Sequence, residues 1–493
     1  MSTPNRQPAT STYQALMPSH TEFDAVIVGS GPNGLSAAIT LARAGRSVLL
    51  VEGHERVGGG VRSEETTLPG FVHDVCSAVY PLALASPFLR SLPLHEHGLQ
   101  WVHPPLPMAH PFDDGSAVVL DRSLDLTAAA LGVDGERYGR LMRPFVAAWQ
   151  AFMGEVLAPI RIPPRRPLLF GRIGALGFWP ASLFARVMFR EERTRGLFAG
   201  MAAHSIMALE KPLTTGYGLT LGLLGHAVGW PIAKGGAQSV AEALASYLRS
   251  LGGLIETGRR IGNLDELPAS KVALLDVAPK SLLEIAGAKL PAGYRRSLGR
   301  YRYGPGAFKL DIAIDGPIPW RSQTCGSAGT VHLGGTLSEI AEAERTVAEG
   351  RHPERPFVLL AQQSLFDPSR APQGKHTVWA YCHVPNGSQV DMSQAIIAQI
   401  ERFAPGFSQR ILALSARGPS WYEAYNPNYV GGDLVGGAQD LAQFFTRPTL
   451  RLAPYTTPLR GLYLCSSSTP PGGGVHGMCG FHAARAALRR EFA

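Results

Sequence analysis

"FDAVIVGSGPNGLSAAITLARAGRSVLLVEG", residues 23–53, passes from an apolar run through a glycine turn into an alanine-rich segment and out into a second apolar run. Ala25 to Val28 suits a short buried parallel strand, and Leu35, Ile39, Leu41 and Ala42 supply the inner face of a helix closed by Gly45. Gly29, Gly31 and Gly34 form GxGxxG, with Pro32 and Asn33 inside it. The first glycine allows a tight turn, the second lets the backbone approach a pyrophosphate, and the third lets helix pack closely on strand. The helix then aims its unpaired N–H groups and the positive end of its dipole at the phosphates. Glu52 ends the second strand about 20 residues on, where a carboxylate accepts hydrogen bonds from ribose hydroxyls. Together these predict a dinucleotide site; a purely structural turn in an α/β domain is the alternative.

Directly after Glu52, "GHERVGGGVRSEE" brings Gly58, Gly59 and Gly60 and then Arg62. A second glycine cluster there lets the chain run close to the middle of an extended ligand, while Arg62 neutralises phosphate charge. Near the other end, "LCSSSTPPGGGVHGMCGFHAARAAL", residues 464–488, repeats the pattern of apolar strand, small residues, glycines and alanine-rich helix.

With 493 residues, the chain exceeds what one core fills, so two interleaved domains are expected. An apolar share of 45% and a charged share of 17% suit a globular protein. The five cysteines show no CxxC spacing and are odd in number, so neither a zinc site nor a disulfide framework is implied, and a reducing compartment is the default. The first twenty residues lack the pattern of a signal peptide, and no window gives about 18 uncharged apolar residues. A cytoplasmic protein, soluble or peripheral to a membrane, is expected. The formal charge of +8 comes without a basic–aromatic nucleic-acid module, so no nucleic-acid partner is expected. Much of the excess sits in Arg161 to Arg190, with six arginines, no acid, and many Leu, Phe and Trp residues. Its functional reading is a surface that meets an anionic lipid interface; its structural reading is a core-lining helical hairpin.

From about Phe23 onward the chain resembles the phytoene desaturase-like flavoprotein oxidoreductases, a branch related to flavin amine oxidases. Besides the glycine motifs, the resemblance rests on "GFVHDVCSAVYPLALASP", "WPIAKGGAQSVAEALASYLRSLGGLIETGRRI", "GPGAFKLDIAIDGPIPW", "DPSRAPQGKHTVWAYCHVP", "NPNYVGGDLVGGAQDLAQFFTRP" and the closing segment. It implies FAD stretched between the two termini, adenosine on the first turn and flavin on the last. On that reading Ser466 and Ser467 lie beside the ribityl and phosphate region, and Gly473, Gly474, Val475 and Met478 lie along the pyrimidine edge. The same resemblance places the Ile261 backbone against the adenine; the alternative is that Ile261 is core. Relatives often carry glycines in the serine run and a histidine before the triple glycine, where this chain has Ser466, Ser468 and Pro470.

The expected fold class is α/β: a discontinuous Rossmann-like FAD-binding domain with an interleaved substrate domain of mixed sheet and helices. After a flexible extension at 1–22, residues 23–120, 225–303 and 450–493 are assigned to the first domain and 121–224 and 304–449 to the second. Alternation in "AFKLDIAID" and "KHTVWAYCHV" predicts strands roofing the flavin, whereas "RYGRLMRPFVAAWQAFMGEVL" has helical spacing.

The chemistry expected is hydride transfer from a substrate carbon to flavin N5 with loss of a neighbouring proton, forming a C=C bond in an apolar, lipid-like or isoprenoid substrate. Electrons then leave to oxygen, a quinone or another external acceptor. His476 is the first candidate for a catalytic group, with helix capping as its structural alternative; Asp433 and Asp74 follow, with turn and cap formation as theirs. Trp230, Trp421 and Tyr425 are candidates to line the substrate pocket, or plain core. No metal site is expected. Alternative functions are amine oxidation, redox-neutral isomerisation or ketolation on the same fold, and lipid carriage without redox activity, as in the GDP dissociation inhibitors.

Overall fold

The structure, a computed structural model, describes residues 23–159 and 167–493. The extension at 1–22 and residues 160–166 of the arginine-rich stretch lie outside the described residues. A five-stranded parallel sheet runs in the order Leu462–Leu464, Ser270–Leu275, Phe23–Val28, Val48–Val51, Leu254–Glu256. Both faces are covered, so its strands read as continuous apolar runs; all four residues of Val48–Val51 are buried. The first helix, Pro32–Ala42, starts at the glycine turn and packs along the closing helix, Met478–Glu491. Close packing explains how residues so distant in sequence meet. A Cβ on Gly480 would overlap the Asn33 carbonyl oxygen, and one on Gly477 would overlap the Ser36 hydroxyl. Only the absence of side chains lets the two helices approach that closely.

A seven-stranded mixed sheet forms the second layer, in the order Ile411–Arg417, Gly306–Asp315, Lys375–Val384, Val358–Ala361, Ala328–Leu333, Leu106–Pro111, Ala117–Leu120. All its pairings are antiparallel except that of Ala328–Leu333 with Leu106–Pro111. Its two faces differ sharply, because successive residues of a strand point to opposite sides. Phe308, Leu310 and Ile312 join Val378, Ala380 and Cys382 in an apolar cluster with Ile396, Ile400 and Phe403 of the helix Ser393–Phe403. By the register, Ala307, Lys309 and Asp311 sit opposite His383, Tyr381 and Trp379 on the other face. Thr330 and His332 share that face through Ala361 and Leu359. The predicted alternation therefore separates a structural side from a chemical side.

One expectation is corrected. Strands Leu106–Pro111 and Ala117–Leu120 belong to the seven-stranded sheet, although a division at 120 placed them in the cofactor part. They form a hairpin whose first strand pairs in parallel with Ala328–Leu333, covering an edge that would otherwise expose unpaired backbone groups. The helical expectation for 137–157 corresponds to two helices, Gly135–Ala147 and Trp149–Val156.

Candidate active site

A cavity of about 650 Å³ lies between the two sheets. At one end it is lined by Gly29, Gly31, Pro32, Asn33 and Glu52, and at another by Ser466, Ser467, Gly474 and Val475, so both termini of the chain build it. The first turn is as crowded as a backbone cradle requires. Gly29 takes φ +97°, and a Cβ on Gly31 would come 2.8 Å from Asp276 Oδ2. A Cβ on Gly59 would come 2.9 Å from the Gly31 Cα, which places the second glycine cluster directly on the first. The Asn33 side-chain oxygen is buried at the start of the first helix with no partner. These residues fit an extended dinucleotide: the glycines that line the cavity put no side chain between the backbone and a ligand.

The Glu52 carboxylate accepts hydrogen bonds from the backbone N–H and hydroxyl of Ser30, from the His54 N–H at 2.8 Å, and from Arg62 at 3.2 Å. The expected ribose acid and the expected phosphate cation thus pair with each other, and both line the cavity. Sequence reasoning missed a further carboxyl, Asp276, at the end of the strand Ser270–Leu275. It accepts the Gly34 N–H at 2.8 Å, and burial lifts its pKa from 3.8 to about 7, with the nearby Glu52 charge adding and the Gly34 hydrogen bond opposing. Its signal was the "LLDVAP" strand end, which periodicity read only as core.

Of the remaining cofactor candidates, Gly60 and Ile261 line the cavity, whereas Gly34, Gly58, Gly473 and Met478 stand behind its wall. Gly34 is there for packing, since a Cβ would overlap the Gly29 carbonyl oxygen. Among the aromatic candidates Trp230 and Tyr425 line the cavity; Trp421 does not, and is stacked between Tyr425 and the Arg417 guanidinium.

None of the three residues put forward as catalytic lines the cavity, and each has a structural task. His476 Nδ1 accepts the Met478 N–H at 3.0 Å, capping the closing helix, and Nε2 donates to the Gly472 carbonyl at 3.2 Å. Burial lowers its pKa to about 4, so the ring is neutral. Asp433 accepts four backbone N–H groups, from Gly304, Val435, Gly436 and Gly437, and so shapes the glycine loop. Asp74 joins Ser63, the Ala237 N–H and Arg370 in a buried network. In each case short-range turn chemistry or a buried ion pair occupies the group.

Beyond the cofactor cradle the cavity opens into a chamber walled by the chemical face of the seven-stranded sheet. Thr330, Leu359, Trp379, Tyr381 and His383 line it from the sheet, and Leu82, His204, Leu221 and Trp230 from the helical side. None of residues 174–190 lines it. Trp379 and Tyr381 meet edge to face at 5.0 Å and 74°, which is not a pair of facing rings. His204 and His332 contact each other through Nε2 at 3.0 Å, and burial lowers the His204 pKa to about 3 and His332 well below its usual value. Both rings are neutral there.

Residues 27–92 match the NAD(P)-binding Rossmann-like domain family. The chain is 27% identical to pyridine nucleotide-disulfide oxidoreductase domain-containing protein 2 of Mus musculus, across 95% of this chain and 94% of that protein. It is 24% identical to the hydroxyneurosporene desaturase of Rhodobacter capsulatus, across 95% of this chain and 98% of that one. A solved structure of putrescine oxidase bound to putrescine superposes with a TM-score of 0.62 over 96% of this chain and all of that one, at 16% identity, which shows a shared fold.

Proposed function

We propose that this chain, a phytoene desaturase-like flavin oxidoreductase of FAD type related to the flavin amine oxidases, dehydrogenates a compact apolar substrate. The observation that carries the reading is a cavity built from both glycine-rich termini and continued into an aromatic chamber. FAD bound there supplies the acceptor for a hydride and its two electrons. The first turn and Gly59 hold the adenosine and pyrophosphate end through backbone groups, and Ser466, Ser467, Gly474 and Val475 lie where the ring end reaches. Leu82, Leu221, Trp230, Leu359, Trp379 and Tyr381 exclude water and hold the substrate carbon, with burial worth about 0.8 kcal/mol per methylene.

Compactness follows from space. Pockets for small ligands run to roughly 300–1,000 Å³, and the cofactor fills much of the volume present. What remains suits a substrate far shorter than a carotenoid chain. Residues 23–105, 225–303 and 450–493 form the cofactor-binding part on this reading, and oxygen, a quinone or another external molecule reoxidises it.

Anaerobic titration of the purified protein tests the proposal. The expected result is a yellow protein whose flavin absorbance is bleached by compact cyclic terpenes. A colourless preparation that refuses FAD, or bleaching by amines alone, overturns it. A peripheral membrane contact is proposed at the arginine-rich stretch, supported by the exposure of Phe178, Trp179, Leu183 and Val187 beside Phe445. Among the described residues no helix is long and apolar enough to cross a membrane. Cosedimentation with anionic but not neutral vesicles is the expected outcome, and absence of binding to both removes this contact.

A further inference from the structure

We propose that His383, oriented by Glu344, is the proton acceptor of the chamber. His383 stands on the strand Lys375–Val384 opposite Ala307, on the face that lines the cavity, and is only 2% exposed. Its Nδ1 lies 2.9 and 3.0 Å from the two carboxylate oxygens of Glu344, itself buried on the helix Leu337–Ala348. A carboxylate can only accept, so Nδ1 carries the ring proton and a neutral His383 keeps its lone pair on Nε2. That Nε2 is buried and has no partner. A carboxylate-held imidazole with a free second nitrogen, on a residue that lines the cavity, is the arrangement by which a buried histidine takes up a proton, the carboxylate stabilising the imidazolium that results.

The other histidines around the chamber are differently employed. His204 and His332 spend Nε2 on each other, and His110 is bonded through Nε2 to the Gly335 carbonyl at 2.6 Å, while burial lowers its pKa to about 4. None of these three has a carboxylate partner among the contacts described. The titratable neighbours of His383 are Glu344 on one side, Tyr381 with ring centroids 5.5 Å away, Cys382 next in the strand, and His204 across the chamber. His110 Nδ1 and His332 Nδ1 are likewise buried without a partner, so what sets His383 apart is the Glu344 carboxylate on its Nδ1 together with its place in the cavity lining.

The step rests on the dehydrogenation reading above. With FAD held in the cradle, one substrate C–H bond would break with its electron pair, for which the cofactor would be the hydride acceptor. The electron-poor carbon that remains makes the adjacent C–H acidic, so a neutral imidazole is strong enough to take that proton on Nε2. The electrons of the second C–H bond become the new double bond. The substrate is oxidised by two electrons, the cofactor is reduced by two, and the proton passes from His383 to water on product release. His383 is the catalytic residue, and Glu344 acts through it as a positioning residue.

Histidine-selective ¹⁵N labelling of the holoprotein, with His383→Gln and His383→Asn used to assign the resonance, reads the tautomer directly. The expected spectrum has a protonated Nδ1 and an unprotonated Nε2, a preference lost in Glu344→Gln and kept in Glu344→Asp. Rapid anaerobic mixing with the terpene that bleaches the flavin should show reduction slowed about 10²–10⁴-fold in His383→Gln at unchanged flavin content, with Glu344→Gln in between. A protonated Nε2 in the wild type, or an unchanged reduction rate in His383→Gln, overturns the assignment. Loss of flavin from the wild type sinks the dehydrogenation reading instead, and the tautomer measurement still decides whether His383 is built to accept a proton.

Discussion

The two sheets flank one cavity with opposite materials. The parallel sheet presents main chain: glycines at 29, 31 and 59 and a serine run, with large side chains held back. The mixed sheet presents side chains, from Thr330 and Trp379 to Tyr381 and His383, on one alternating face. A ligand gripped by backbone tolerates no added atom, whereas a chamber built from side chains can change its chemistry without disturbing its frame. That contrast suits a shared cofactor and a substrate that differs between relatives.

The contrast can be broken most severely at Gly34. Alanine there drives a Cβ into the Gly29 carbonyl oxygen, where backbone meets backbone and neither can yield. Gly34→Ala should cost above about 5 kcal/mol and abolish flavin retention, judged by thermal unfolding and absorbance; a stable yellow variant would refute the cradle.

Asp276 sharpens it next. Its folded carboxyl titrates near 7 against an ordinary 3.8, so the folded state binds the extra proton between those values and loses stability as pH rises. The penalty is absent below about pH 4 and complete above about 7, amounting to roughly 4 kcal/mol at 1.36 kcal/mol per pH unit. Asp276→Asn keeps an acceptor for the Gly34 N–H, so the stability of the variant minus that of the wild type should grow between pH 4.5 and 7.5. Parallel curves would show that burial does not strain this carboxyl.

On the chamber side the smallest effects are informative. Thr336 caps the helix Leu337–Ala348 in a reciprocal box with Glu339, and Thr336→Ala should cost about 1 kcal/mol in denaturant unfolding. Thr330→Val, by contrast, removes a buried hydroxyl that has no partner, and should leave stability within about 0.5 kcal/mol of wild type or raise it. A loss as large as that of the cap would mean Thr330 is already bonded in the folded protein.

Legibility follows the same division. The strand–turn–helix at 23–42, the acid at Glu52 and the closing glycine loop were readable because backbone crowding demands glycine and leaves a local pattern. Alternation in "AFKLDIAID" and "KHTVWAYCHV" located two strands and their two faces. It could not say that Leu106–Pro111 joins the same sheet, since pairing in parallel with Ala328–Leu333 is a contact across more than two hundred residues. His476, Asp433 and Asp74 drew attention by sitting beside glycines or inside the resembling motifs, and in the fold their polar atoms are consumed by a helix cap, a turn and an ion network.

The amino-acid sequence by itself determined the α/β class and the dinucleotide turn, because each depends on neighbours a few residues apart; the meeting of early and late glycine loops was implied only by the family resemblance and is made by tertiary packing of the first and last helices. Only the tertiary structure decided which polar groups remain free inside. His383 and Glu344 are 39 residues apart on a strand and a helix, and Asp276 reaches Gly34 across 242 positions. Burial and partnership belong to the assembled interior, where loss of water makes one carboxyl hold a proton and another hold a histidine.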